Sequence, residues 1–271
     1  MKEHLSIKIE NVCSINEANI EISKINVVGG VNSSGKSTIS KLLYCYFKSR
    51  NEDESFEYLM DGEGLSDFID SSIGFEGNLN PSNVFYIDNI SILDLKDLDI
   101  LRVDHIIHIK EALEESEEVN ESENIAKIQN IIKGDCLTST STGIKEIGII
   151  ELLLKNNRLK ENSFLIIDEP ESSLHPEWQI KFAEILVLLV KDLNIHIYLN
   201  SNSPMFIEAI SLYSQYYDLL KYTNFYLTQK TANDKFIFKK INPKNMGEVY
   251  ENLTKPYDEL DKLKAKILFK E

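Results

Sequence analysis

Apolar and polar residues alternate from the start of the chain. Leu5, Ile7 and Ile9 are spaced by two, and the same period returns from Ala18 to Ile22 before Ile25-Asn26-Val27-Val28 runs into Gly29 and Gly30. A period of two places every second side chain on one face of a pleated strand, so two or three strands are predicted here. After Ser37 the period lengthens. Ile39, Leu42, Leu43, Tyr46 and Phe47 follow the spacing that lays one apolar stripe along a helix. Residues 5–47 therefore predict strand, glycine turn, helix.

From about Asn51 to Asn83 the chain is rich in Asp, Glu, Gly, Ser and Asn with no sustained period, which predicts a loop-rich lobe. Val84-Phe85-Tyr86-Ile87 then reads as a buried strand. Asp104 to Lys133 is acidic and helical in composition, and two short helices account for it, with Ile125, Ile128, Ile131 and Ile132 as the apolar stripe. Beyond Ser139 come a helix carrying Ile147, Ile150, Leu153 and Leu154, the strand Phe164-Leu165-Ile166-Ile167, a helix from Pro176 to Lys191, and a strand from Ile195 to Leu199. Strands alternating with helices predict an α/β fold with a mainly parallel central sheet and ligands at the strands' carboxyl ends. A hairpin pairing Phe225-Tyr226-Leu227 with Phe236-Ile237-Phe238 across Ala232-Asn233-Asp234 is expected before a C-terminal helix. The organisation expected is one domain over residues 1–271, with a loop-rich and helical lobe inserted at about 51–135.

Composition narrows this picture. At 271 residues and 42% hydrophobic content the chain can bury a large core. The most apolar stretch, Ile185 to Leu199, is broken by Lys191, Asp192, Asn194 and His196, and no secretory leader pattern opens the chain, so a cytoplasmic protein without a membrane span is expected. A formal net charge of −15 repels polyanions, so a broad nucleic-acid surface is not predicted, although a local basic patch is compatible with it. Lysines gather from Lys221 onward and glutamates from Glu111 to Glu123, and both runs read as solvated faces. Cys13, Cys45 and Cys136 show no close pairing of the kind that holds zinc or runs a redox cycle.

The candidate chemistry starts at the first glycine turn. Gly30-Val31-Asn32-Ser33-Ser34-Gly35-Lys36-Ser37 fits the P-loop pattern G-x-x-x-x-G-K-[ST], with an apolar strand before it and an amphipathic helix after it. Glycines let backbone amides wrap a polyphosphate, and Lys36 places a point charge on the β and γ phosphates. Ser37 is expected to ligate Mg²⁺ and Thr38 to bond an α-phosphate oxygen. At the end of the strand from Phe164 stand Asp168 and Glu169, 132 positions after Lys36. Asp168 is assigned to the Mg²⁺ shell and Glu169 to the general base that orients an attacking water.

Asp168-Glu169-Pro170-Glu171-Ser172-Ser173-Leu174-His175-Pro176 resembles the Walker B and D-loop run of ABC-type ATPases in the OLD, RecF and SMC group. Ser139-Thr140-Ser141-Thr142-Gly143-Ile144-Lys145 resembles their divergent ABC signature, Gly143 lying 25 positions before Asp168. The resemblance implies an ABC-type head with an N-terminal antiparallel β region. It also implies ATP-dependent pairing of two heads, in which Ser141 and Gly143 of one copy donate to the γ-phosphate held by the other. Compact heads in this group often belong to bacterial antiviral defence systems and work beside a separate effector protein. The spacing of 132 leaves no room for a long coiled-coil insertion, and no TOPRIM-like nuclease segment is evident.

Two positions depart from that pattern. Where the group usually places a histidine against the γ-phosphate, this chain has Asn202, within Asn200-Ser201-Asn202-Ser203-Pro204. An amide bonds a phosphate or water but carries no proton at neutral pH, so turnover is expected to be slow, unless Asn202 simply caps the next helix. No Q-loop glutamine follows Val84 to Ile87; Asp88 stands there, either reaching the metal or forming a plain turn. No aromatic near Asn11 to Ser14 is available to stack on a base. His175 reads as structural, and His105 and His108 share a helix face with no companion carboxylate motif. Two functions remain open: an ATPase switch, and a nucleotide-gated scaffold or neutralising partner with little turnover.

Overall fold

The computed structural model describes residues 4–52, 54–68, 72–88, 104–114, 142–172 and 174–268. Its strands are β1 (Leu5–Glu10), β2 (Ile15–Ile22), β3 (Ile25–Gly29), β4 (Ser72–Gly77), β5 (Val84–Ile87), β6 (Phe164–Asp168), β7 (His196–Ser201), β8 (Thr223–Lys230) and β9 (Phe236–Ile241). They form one sheet in the order β4-β1-β2-β9-β8-β3-β7-β6-β5. β5, β6, β7, β3 and β8 run parallel, and β4, β1 and β2 are antiparallel. The two parts meet at β9, which pairs parallel with β2 and antiparallel with β8. This is the expected α/β arrangement, a mainly parallel sheet with an antiparallel N-terminal region.

The helices are α1 (Lys36–Asn51), α2 (Phe56–Gly62), α3 (Asp104–Glu114), α4 (Thr142–Lys155), α5 (Pro176–Leu193), α6 (Pro204–Tyr216), α7 (Gly247–Leu253) and α8 (Lys255–Leu268). Pleating sorts the sheet's side chains between two layers. Val28, Val84, Tyr86, Phe164, Ile166 and Tyr198 face α1, joining Leu42, Leu43, Tyr44 and Phe47 in one core. Phe85, Ile87, Leu165, Ile167, Ile197 and Leu199 face the other way, onto α4, α5 and α6. Because the central strands are covered on both faces, they read as unbroken apolar runs. The carboxyl end of β6 consequently projects Asp168 toward α1.

The segment expected to be loop-rich contains more order. It forms α2, capped by Ser55 accepting from the Tyr58 amide, and β4, which pairs with β1 from Leu5↔Gly77 to Glu10↔Ser72. Ser72-Ile73-Gly74-Phe75-Glu76-Gly77 is a polar edge strand with no wholly buried side chain, which is why its period is faint. The helix expected from Asp104 is α3; the second one, with Ile125 to Ile132, lies outside the described residues, as does Cys136. The hairpin of β8 and β9 and a pair of C-terminal helices close the fold. α8 buries none of its residues and leaves Tyr257, Leu260, Leu263 and Ile267 exposed. Among the described residues no helix is long and apolar enough to cross a membrane.

Candidate nucleotide-binding site

Three parallel strands bring the chemistry together. β3 ends in the loop Gly30–Gly35, β6 ends in Asp168, and β7 ends just before Asn202, all at the same edge of the sheet. The loop turns through two left-handed residues, Ser33 at φ 61° and Gly35 at φ 94°. Gly30 is required by close approach: a Cβ there would lie 2.0 Å from Thr228 Oγ1. A cavity of about 420 Å³ opens over this loop and is bordered by Cys13, Ser14, Asn32, Ser33, Ser34, Gly35, Lys36, Ser37, Thr38 and Glu169.

Lys36 is buried, and its ammonium donates to Gly30 O and Val31 O, both at 2.9 Å, and to Asn202 Oδ1 at 2.8 Å. Burial lowers its pKa, while the carboxylates of Glu169, Asp168 and Glu171 act to raise it. Asn202 is the hub of the site. Its Nδ2 donates to Glu169 Oε1 and Asn32 Oδ1, each at 2.6 Å, while its oxygen takes the ammonium. Charge sets that orientation, since a reversed amide would point N–H groups at an ammonium and a carbonyl at a carboxylate. Asn202 does not cap α6; Ser203 does, its Oγ accepting from the Phe206 amide. Glu169 reaches Asn202 because its backbone turns left-handed, at φ 51°, which breaks the strand alternation just after Asp168.

Asp168 is held by neutral donors. Ser40 Oγ (2.7 Å) and Asn200 Nδ2 donate to Oδ1, and Tyr86 Oη (2.9 Å) donates to Oδ2. Burial raises its pKa, and hydrogen bonds from Ser37, Ser40, Tyr86 and Asn200 oppose that rise by favouring the carboxylate. Ser40, Tyr86 and Asn200 were not singled out from the sequence. Only Ser40 had a signal, lying one helical turn beyond Lys36; Asn200 is brought to Asp168 by the sheet register and Tyr86 by the α1 face of β5.

These residues suit a magnesium-bound triphosphate. Ser37 and Asp168 share a hydrogen bond, so both can ligate one ion, and Ser34 Oγ is buried within the cradle with no partner. Thr38 bonds the Cys13 thiol at the mouth of the loop, and burial raises the pKa of that thiol. Gly143 lies in the first turn of α4, and Ser141 lies outside the described residues.

Asp88, just after β5, places its Oδ2 beside His105. His105, expected to have no carboxylate companion, is buried between two. Its Nδ1 lies 2.7 Å from Glu63 Oε1, and its Nε2 lies 3.1 Å from Asp88 Oδ2. The ring packs on Tyr86 with centroids 4.4 Å apart, beside Tyr44, and Lys41 approaches Glu63 from α1. Burial by itself lowers the His105 pKa, but the hydrogen bonds and charges of Asp88 and Glu63 outweigh it and raise the value from 6.5 to about 9. A raised folded-state pKa stabilises the fold fully below pH 6.5, and that contribution is lost as pH rises through 9. The melting temperature is therefore expected to fall between pH 7 and 10, and His105→Gln to flatten that slope in a thermal-melt series; equal slopes would reject the charged pairing.

No family profile and no curated protein matches the chain. Solved structures do. An ATP-binding cassette of an ABC transporter, MJ1267, is 15% identical over 95% of this chain and 97% of its own, with a TM-score of 0.50. The SMC head domain from Thermotoga maritima is 14% identical over 89% of this chain and 100% of its own, with a TM-score of 0.50. CbiO1 from Clostridium perfringens, part of the ABC transporter complex cbiONQ, is 15% identical over 91% and 92%, again at 0.50. Identities this low speak for architecture alone, and on that ground the chain has the P-loop fold shared by ABC-type ATP-binding cassettes and SMC heads.

Proposed function

We propose that the chain binds ATP with Mg²⁺ in the cradle of Lys36, hydrolyses it with Glu169 as general base, and acts as a switch by closing head to head on a second copy. The observation that carries this reading is the linked set Lys36, Asn202, Glu169 and Asn32, joined by hydrogen bonds of 2.6–2.8 Å beside the Asp168 carboxylate. One ammonium, one carboxylate and two amides thus meet where a γ-phosphate and an attacking water need a cation, a base and a positioning donor. Magnesium, held by Ser37 and Asp168, would supply neutralisation of the phosphate oxygens. Gly30, Ser33, Ser34 and Gly35 shape the loop, Thr38 bonds an α-phosphate oxygen, and the partner copy's Ser141 and Gly143 close the site in trans. Control of a separate effector protein, in a bacterial defence setting, is the role this switch fits.

Asn202 favours a second reading, a nucleotide-gated scaffold with little turnover, because an amide relays no proton. Single-turnover hydrolysis of Mg-ATP separates the two. The switch requires wild type to cleave ATP faster than Glu169→Ala; equal rates leave only the scaffold. Absence of binding heat in a calorimetric titration with Mg-ATP would reject both.

A further inference from the structure

We propose that Glu171 is a positioning residue whose Oε1 gathers Ser201 Oγ (2.7 Å), the Asn202 amide (2.7 Å) and the Ser203 amide (3.1 Å), and thereby aims Asn202 at Lys36 and Glu169. The inference rests on the ATP-binding reading above only for what Asn202 faces; the clamp itself is visible in the geometry.

A buried carboxylate is a costly way to hold a loop. Glu171 is 6% exposed, and the groups that satisfy Oε1 are a hydroxyl and two backbone amides. Burial pushes the Glu171 carboxyl pKa up and leaves Oε2 without a hydrogen-bond partner among the described residues, and the donors from Ser201, Asn202 and Ser203 that converge on Oε1 oppose that rise. A helix cap would not need it, because Ser203 already caps α6. What the carboxylate adds is direction. Successive amides of residues 202 and 203 bound to one oxygen fix the backbone on either side of the Asn202 Cα, and so fix where its side chain projects. Charge-assisted bonds to backbone amides are about twice as strong as neutral ones, which suits a clamp.

The clamp also ties two loops together. Glu171 sits two residues after Glu169, and Gln179 of α5 fastens its neighbourhood: Gln179 Nε2 donates to Leu174 O at 3.1 Å, and its Oε1 accepts from Ser203 Oγ at 3.0 Å. Movement of the turn after β6 therefore carries Asn202 with it. The general base and the amide that touches it are held by the same turn, one through the chain and one through the carboxylate.

The test compares Glu171→Gln, Asn202→Ala and the double variant in ATP turnover. It adds hydrogen exchange of the 201–203 amides measured without nucleotide. Glutamine keeps the shape and removes the charge. Expected results are a kcat lower by on the order of tenfold at nearly constant KM in each single variant, no further loss in the double, and faster exchange at Asn202 and Ser203 in Glu171→Gln. Additive losses, or unchanged exchange, would overturn the proposal. Ser201→Ala, which deletes one donor and leaves Glu171 in place, is expected to speed exchange to an intermediate degree and serves if Glu171→Gln does not fold. Should wild type show no turnover, the ATPase reading falls, while exchange still decides the clamp.

Discussion

Glutamine in place of Glu169 is expected to slow ATP hydrolysis by about 10²–10⁴-fold while leaving ATP bound, the range associated with losing a positioned general base. The substitution is nearly isosteric, so the contact of 2.6 Å to Asn202 Nδ2 must change character rather than vanish. An amide accepts that bond through its own oxygen, so the loop stays in place. What is lost is the negative charge that takes up a proton from water. With hydrolysis blocked and the cradle intact, the ATP-bound pair of heads should accumulate. Quenched-flow measurement of single-turnover cleavage and size-exclusion chromatography with Mg-ATP read the two effects separately. Cleavage within about twofold of wild type would remove Glu169 from the base role.

Lys36→Ala is the second large effect, and it acts one step earlier. The ammonium donates three hydrogen bonds, to Gly30 O, Val31 O and Asn202 Oδ1, and a bound triphosphate would replace acceptors in that set. Hydrogen bonds to charged groups contribute about 1.5–3 kcal/mol each, so losing two of them weakens ATP by about a hundredfold or more. Titration calorimetry with Mg²⁺ present should then show no binding at concentrations that saturate wild type, and the variant should stay monomeric with nucleotide. A secondary cost is also expected: the three acceptors lose their donor, so the variant should melt below wild type. Retained affinity would place the phosphates elsewhere.

These two variants probe residues that the sequence marks openly. The run from Gly30 to Ser37 and the pair Asp168-Glu169 are legible because a polyphosphate dictates glycines, a lysine and a strand-end acid at short, fixed spacing. Asn202 was legible in place but not in role. Only its contacts with Lys36, Glu169 and Asn32 distinguish an amide hub from a helix cap, and Ser203, one residue on, is the actual cap.

Other parts of the site carry no local signature. Glu63, Asp88 and His105 come from three separate segments, and nothing in the spacing of 63, 88 and 105 announces a buried imidazole between two carboxylates. Glu171 lies inside a recognised run, yet its three donors come from residues 201–203, thirty positions away. β4 escaped notice for a related reason: its glycines and exposed face give little hydrophobic rhythm, and its pairing is supplied by β1.

Outside residues 51–83, where α2 and β4 went unread, the sequence by itself determined the order of the strongly periodic strands and helices, the phosphate loop and the acidic strand end, because backbone periodicity and phosphate chemistry act over a few neighbouring residues. Tertiary structure decided which polar groups meet. Parallel strands β3, β6 and β7 set their carboxyl ends side by side, and only that alignment turns Lys36, Asp168, Glu169 and Asn202 into one site and brings the Glu171 carboxylate to the Asn202 amide. Hydrogen bonds and ion pairs form through space over about 3 Å, and separation along the chain carries no record of that distance.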